Sequence, residues 1–302
     1  MPASDTAPTI KVAVVGSANL DLVVHVQRTP APGETVMGDH LTEHPGGKGL
    51  NQAVAAAKYA PTAFIGVLGS DHAGDVLRSA LAEADVNTEF TRASPGESGV
   101  AVVNLDASGE NSITVISGAN LLVTAEQTVE ALDLLRPTVV VTQLETPLES
   151  VVAAADWAKR NGARWVFNPS PLNQLAASSS DHAIHSLIQT ADPLIVNEGE
   201  ALEILHLSNS KLASDESIAD QLAKQFTSIV MTGGSRGSYV GDRDTVMFVP
   251  AEKVDAVDTT GAGDAFAGTI AARLADGADL ASASRDANLA AARVVATPRT
   301  ER

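Results

Sequence analysis

A chain of 302 residues with 44% hydrophobic side chains is long enough for one large α/β domain or two small ones around a substantial core. A net charge of −17, no basic cluster and only 3% aromatic residues argue against nucleic acid and anionic membrane as partners. There is no cysteine, no apolar run of membrane-spanning length and no basic or apolar leader over residues 1–10, so a soluble protein without disulfide or thiolate chemistry is expected.

Lys11 to Gly16 is a short β-branched run closed by glycine, the pattern of a buried parallel strand. Asn19 and Asp21 follow at its C-terminal edge, where open α/β sheets bind ligands. Spaced two apart on an extended chain, they point the same way and offer a donor and acceptors for vicinal hydroxyls. An Asx turn leaving a strand is an equally good reading of these residues alone. Prolines 30 and 32 exclude a helix across Leu22 to His44, which is read as strands outside the main sheet. Glycines 46, 47 and 49 then precede an Ala-rich helix running to about Tyr59. This is no P-loop, because Thr42 stands where the first glycine is needed and Gly49 follows Lys48 in place of Ser or Thr.

The middle of the chain alternates strand and helix. Strands are predicted at Thr62 to Leu68, Thr138 to Leu144, Arg164 to Phe167, Asp192 to Val196 and Ser228 to Met231. Helices are predicted at Ala73 to Ala84, Ala125 to Leu135 and Val151 to Arg160. Gly99 to Leu105 and Asn111 to Ser117 have no helix between them and read as a hairpin turning at Asp106 to Glu110. Glu145, just beyond a strand, reads as an acid at a helix start before Pro147. Asn197 and Glu200 likewise fit a helix start. Thr232 to Gly237 places glycines at a strand end, and Ser238 to Val240 with Thr245 to Val249 forms a hairpin. His182 and His185 fit one helix face but have no third metal ligand near them in sequence.

The last informative stretch runs from Asp258 to Gly268. Gly261 and Gly263 sit at the mouth of a helix expected to reach Ala275, with Leu280 to Val295 as a final helix. A helix mouth supplies unpaired N–H groups and the positive end of the dipole, and so binds anions. Asp264 in that first turn stands where a general base for a hydroxyl nucleophile is needed. The plainer reading is a glycine turn capped by Thr260, with an aspartate in turn one.

Asp-Thr-Thr-Gly-Ala-Gly-Asp over 258–264 and Gly-Gly-Lys-Gly-Leu-Asn-Gln-Ala over 46–53 closely resemble the two signatures of the ribokinase-like (PfkB) family of carbohydrate kinases. Gly16 to Asp21 and Pro30 to Thr35 resemble further family segments, and the likeness covers nearly the whole chain. It implies one domain over 1–302: a central, mostly parallel sheet flanked by helices, with a small β lid from segments 22–44 and 99–117. It implies transfer of the ATP γ-phosphoryl group, with Mg2+, to a hydroxyl of a pentose, first D-ribose to ribose 5-phosphate. The alternatives are a family kinase for another sugar or a nucleoside, or a non-catalytic sugar-binding regulator.

On the family's pattern Asp264 is the base, and the amides of Gly261, Ala262 and Gly263 form the anion hole. Asn19, Asp21, Gly46, Gly47, Asn51, Glu145 and Asp264 orient the sugar, with Lys48 close to the phosphates. Asn197, Thr232, Gly234, Ser235, Gly237, Gly263 and Asn288 border the nucleotide, and Glu200 reaches Mg2+ through water. Asp258 and Thr260 form half of a K+ site, whose other half is a Gly-Ala loop that Ala296 to Arg302 lacks. A cytoplasmic homodimer paired through the lid is the implied assembly, with no nucleic-acid or membrane partner.

Overall fold

The computed structural model describes residues 9–107, 111–172, 186–205, 214–243 and 245–301. The predicted histidine pair, the polar run Ser178 to Ser180, which reads in sequence as a surface loop, and most of the turn at 106–110 lie outside the described residues.

The core begins with β1 (Val12–Val15), whose four residues are all buried. Val12 and Val14 pack on one side of the sheet, Ala13 and Val15 on the other. Burial on both faces is why the segment reads as an unbroken apolar run. β1 lies between β4 (Thr62–Gly69) and β8 (Val139–Thr142), parallel to both. Beyond β8 come β9 (Arg164–Phe167), β10 (Leu194–Asn197) and β11 (Ser228–Thr232), all parallel. The hairpin β12 (Gly237–Asp242) and β13 (Val246–Pro250) extends that edge antiparallel. β5 (Thr91–Ser94) closes the other edge, giving nine strands in the order β13-β12-β11-β10-β9-β8-β1-β4-β5.

Helices cover both faces. α1 (Lys48–Ala57), α2 (His72–Glu83), α7 (Ala262–Ala275) and α8 (Leu280–Ala296) bury Leu50, Leu77, Ile270 and Ala283 against the Val12 and Val14 side. α3 (Ala125–Leu135), α4 (Leu148–Asn161), α5 (Glu198–Ile204) and α6 (Asp215–Gln225) bury Leu132, Val151, Ala201 and Ile218 against the other.

A second sheet rises from the C-terminal edge of β1. It has four strands in the order β3-β2-β6-β7: β3 (Gly38–Gly46), β2 (Asn19–Val26), β6 (Gly99–Leu105) and β7 (Asn111–Ile116). Asp21 pairs across with His44 and Ala101, and Ala101 with Val115. Because side chains alternate, Asn19, Asp21, Val103, Ile113 and Val115 share one face.

Many predicted boundaries shift by a residue or two. β8 stops at Thr142 rather than Leu144, freeing Gln143 to Glu145 for the site, and β10 runs from Leu194 to Asn197. Helix α4 starts three residues before the predicted Val151, directly after Pro147.

Candidate active site

The site gathers at the carboxyl ends of the parallel strands, under the second sheet. Its centre is the start of α7. Gly261, with φ 78°, is the N-cap, and no side chain caps the helix, so Thr260 is not the cap. A left-handed residue here turns the chain into the helix with its mouth open. The Ala262 N–H donates to Thr259 O at 3.2 Å. Among the described bonds, the amides of Gly261 and Gly263 have no such partner and remain the open donors of the expected anion hole.

Asp264 lies in the first turn and is 9% exposed. Helix α1 holds its carboxylate: Asn51 Nδ2 donates to Oδ2 at 3.1 Å and Gln52 Nε2 to Oδ1 at 3.0 Å. The two helices approach closely enough that a Cβ at Gly268 would strike Gln52 O and Ala55. Gln52 is fixed in turn. Its Nε2 also donates to Asn168 Oδ1 at 3.2 Å, and its Oε1 accepts from Gln143 Nε2 at 2.7 Å. Burial pushes the Asp264 carboxyl above its ordinary value of 3.8; Lys48 and the two amides oppose this, and Glu145 adds to it.

Lys48 begins α1. Burial works against its charge, but the carboxylates of Asp264, Glu145 and Glu200 outweigh that and raise its pKa. Glu145 Oε2 accepts from the Lys48 N–H at 3.1 Å and from Ser17 Oγ at 2.5 Å, so the acid sits at the N-terminus of α1, not of α4. The Glu145 carboxylate adds to the upward shift of both Asp264 and Asp21, as a like charge does.

On the second sheet, Asn19 is buried and its Oδ1 accepts from Asn120 Nδ2 at 2.7 Å. Arg299, in the C-terminal turn Arg299–Glu301, donates through Nη2 to Asp21 Oδ2 at 2.6 Å and to Pro45 O at 3.2 Å. Burial raises the Asp21 carboxyl, with Arg299 opposing. Gly46 ends β3 opposite Asn19, and Gly47 is the N-cap of α1.

The expected nucleotide residues lie toward β10 to β13. Asn197 caps α5 through a reciprocal box: its Oδ1 accepts from Glu200 N and Glu200 Oε2 from Asn197 N, both at 2.9 Å. The helix-start reading therefore accounts for the local geometry, and the Glu200 carboxylate is among those that raise the Lys48 pKa. Thr232 Oγ1 reaches Val196 O at 3.4 Å. Gly234, Ser235 and Arg236 form an exposed 3-10 turn that ends at Gly237. Arg236, a candidate phosphate donor by charge, is instead held by Asp215 and Glu198, each at 2.7 Å. Asn288 is buried, its Nδ2 directed at Ser238 Oγ, Val249 O and Pro250 O, so it ties α8 to the hairpin. Asp258 Oδ1 accepts from Thr260 N at 2.8 Å, and α8 anchors the segment through Val295 O.

Gln52, Gln143, Asn168, Asn120 and Arg299 were not singled out from sequence. Gln52 had a signal in its place between Asn51 and Ala53 of the glycine-led stretch, and Asn168 in standing before Pro169 at a strand end.

Comparison with known proteins identifies this architecture. The model of the pfkB family carbohydrate kinases matches residues 9–302. Ribokinase of Staphylococcus aureus (strain COL) is 34% identical over 278 residues, 88% of this chain and 86% of its own length. Deoxyribokinase of Salmonella typhimurium is 35% identical over 290 residues, 93% of this chain and 91% of its own. The structure of Arabidopsis thaliana ribokinase complexed with ribose and ATP superposes with a TM-score of 0.81 at 28% identity, covering 97% of this chain and 94% of that one. The chain belongs to the pfkB family of carbohydrate kinases.

Proposed function

We propose that this pfkB-family kinase is a ribokinase, transferring the γ-phosphoryl group of ATP to the 5-hydroxyl of D-ribose. The observation that carries the reading is the setting of Asp264: a buried carboxylate, held by two amide donors, at the open mouth of a helix and beside Lys48. The sugar O–H proton passes to Asp264 as the oxygen attacks phosphorus. A P–O bond forms to the sugar, the bond to the leaving β-phosphate oxygen breaks, and ribose 5-phosphate and ADP result. The amides of Gly261 and Gly263, with Lys48, meet the charge on the phosphoryl oxygens. Asn19, Asp21, Gly46, Gly47, Asn51 and Glu145 orient the sugar under the second sheet, which serves as a lid.

Among the described residues no three His, Cys, Asp or Glu come together as a metal site. Mg2+ would therefore be held chiefly by the nucleotide phosphates, as that ion prefers, with Glu200 reaching it through water. It would neutralise phosphate charge. Asp258 and Thr260 would contribute to a K+ site. The nucleotide would lie along Asn197, Thr232, Gly234, Ser235, Gly237 and Asn288. Ile113 and Val115, 56% and 45% exposed on the second sheet, support pairing of two copies through it. A reaction fed by ATP suits the cytoplasm, and among the described residues no helix is long and apolar enough to cross a membrane.

The likeness to deoxyribokinase supports 2-deoxyribose as the second reading. A coupled ADP-release assay over ribose, 2-deoxyribose, fructose and nucleosides separates the two. Ribose should give the highest kcat/KM. A higher value for any other substrate transfers the assignment to that substrate, and no ADP release with any of them overturns the kinase reading.

A further inference from the structure

Asn120 sits in the 3-10 turn Gly118–Leu122, just after the last strand of the second sheet, and is 2% exposed. Its side chain grips Ala18 at two points: Oδ1 accepts from Ala18 N at 2.9 Å, and Nδ2 donates to Ala18 O at 3.2 Å. A backbone N–H only donates and a carbonyl only accepts, so the Asn120 amide has one orientation that satisfies both. That orientation leaves only its NH2 to face Asn19, and Asn19 answers with Oδ1 at 2.7 Å. The Asn19 amide is thereby turned, and among the described bonds its own NH2 has no protein partner.

We propose that Asn120 is a positioning residue that makes Asn19 a pure hydrogen-bond donor to the sugar. Two residues along the same strand face, Asp21 is a pure acceptor. The pair then reads two neighbouring hydroxyls in opposite senses, one accepting from Asn19 and one donating to Asp21. Gly99 carries the same conclusion independently. It lies directly across from Asn19, and a Cβ there would overlap Asn19 Oδ1, Asn120 Nδ2 and Ala18 O together. The residue opposite Asn19 has no side chain because the two amides occupy its place. Asn120 also follows the strand that returns from the second sheet, so the orientation of Asn19 is tied to the seating of that sheet.

The inference rests on the reading of Asn19 as a sugar contact, and the test separates the two. kcat/KM is measured for ribose, each monodeoxy ribose and each deoxyfluoro ribose, whose fluorine can accept but not donate, with the wild type, Asn19→Ala and Asn120→Asp, with Tm as a folding control. In the wild type, loss of the hydroxyl facing Asn19 should cost roughly tenfold or more. In Asn19→Ala that one penalty should fall to near unity, which identifies the hydroxyl. In Asn120→Asp a carboxylate oxygen faces Asn19, so Asn19 turns its NH2 to the aspartate and its carbonyl to the sugar. The facing hydroxyl can then donate to that carbonyl, so its deoxy penalty persists, but the order of the other two sugars reverses: at that position the deoxyfluoro sugar should exceed the deoxy sugar in the wild type and fall severalfold below it in Asn120→Asp. KM for ribose should rise roughly tenfold, and kcat at saturation should stay within about threefold.

A merely structural role would leave the order of the deoxyfluoro and deoxy sugars intact. If Asn120→Asp does not fold, Asn120→Ala is measured in its place, where the advantage of the deoxyfluoro sugar should be lost. If Asn19→Ala removes one penalty and the Asn120 variant keeps the wild-type order, the positioning role is wrong. If Asn19→Ala removes none, Asn19 is not a sugar contact, and both the reading beneath and this inference fall.

Discussion

Replacing Asp264 by Asn separates its chemical role from its structural one, because the surrounding bonds fix how the amide must sit. Asp264 accepts from Asn51 on one oxygen and from Gln52 on the other. Gln52 cannot turn round: its Nε2 also serves Asn168 and its Oε1 is taken by Gln143. The new amide must therefore direct its oxygen to Gln52 and its NH2 to Asn51. Among the described bonds the Asn51 side chain makes no other, and it can flip to accept. One hydrogen bond is kept, one is re-made, and a costly buried charge is removed, so stability should change by no more than about 1 kcal/mol. The loss of the base should lower kcat by ~10² to 10⁴, about 3 to 5 kcal/mol in barrier at 1.36 kcal/mol per decade. Calorimetric titration with ribose, thermal melting and steady-state ADP release measure the three quantities. Turnover within tenfold of wild type, with sugar still bound, would refute the assignment of Asp264 as base.

The acid limb of kcat should lie above the ordinary aspartate range, because burial raises the Asp264 carboxyl and only its ionised form takes a proton. Lys48→Met removes a group that opposes that rise, so the limb should move further up; an unmoved limb would place Lys48 outside the site. Gln52→Leu leaves Asp264 Oδ1, Asn168 Oδ1 and Gln143 Nε2 short of a partner, and should lower stability by about 3 kcal/mol in urea titration while shifting the same limb upward. Arg299→Ala should cost about 2 kcal/mol near neutral pH, a fully buried pair costing ~3 to 5 and these side chains being 16% and 13% exposed. Asp21 already has a raised carboxyl, and without Arg299 it rises further. Below the ordinary value of 3.8 both proteins hold Asp21 protonated in both states and differ little. As pH climbs through the raised folded-state range, the variant pays more to ionise Asp21, so the difference in stability grows and then levels. A pH-independent difference would show that the pair does not set the Asp21 charge.

What the sequence made legible is local. β1 and α7 announce themselves by buried runs and by glycines at a helix mouth, and the hairpins by alternation around polar turns. β5, with Thr91, Arg92, Ala93 and Ser94, has no apolar alternation to find; it is a strand because β4 offers it an edge. Helix α6 does carry local signals, a capping Ser214 and Ile218, Ala219, Leu222 and Ala223 on one face. The glycine stretches marked where the site lies. They could not show what holds it in register, because Gln52 meets Asp264 across 212 residues and Arg299 meets Asp21 across 278. The same limit applies to Arg236 and Asn288, whose ion-pair and hairpin partners follow only from the packed fold, whereas the cap that joins Asn197 to Glu200 was legible as a helix start.

The most direct measurement is a crystal structure of the Asp264→Asn protein with D-ribose and a non-hydrolysable ATP analogue. The 5-hydroxyl oxygen should lie about 3 Å from the side chain at position 264, with the γ-phosphoryl group against the amides of Gly261 and Gly263. A sugar bound away from Asn19 and Asp21, or a hydroxyl turned from position 264 with the phosphoryl group elsewhere, would contradict the account.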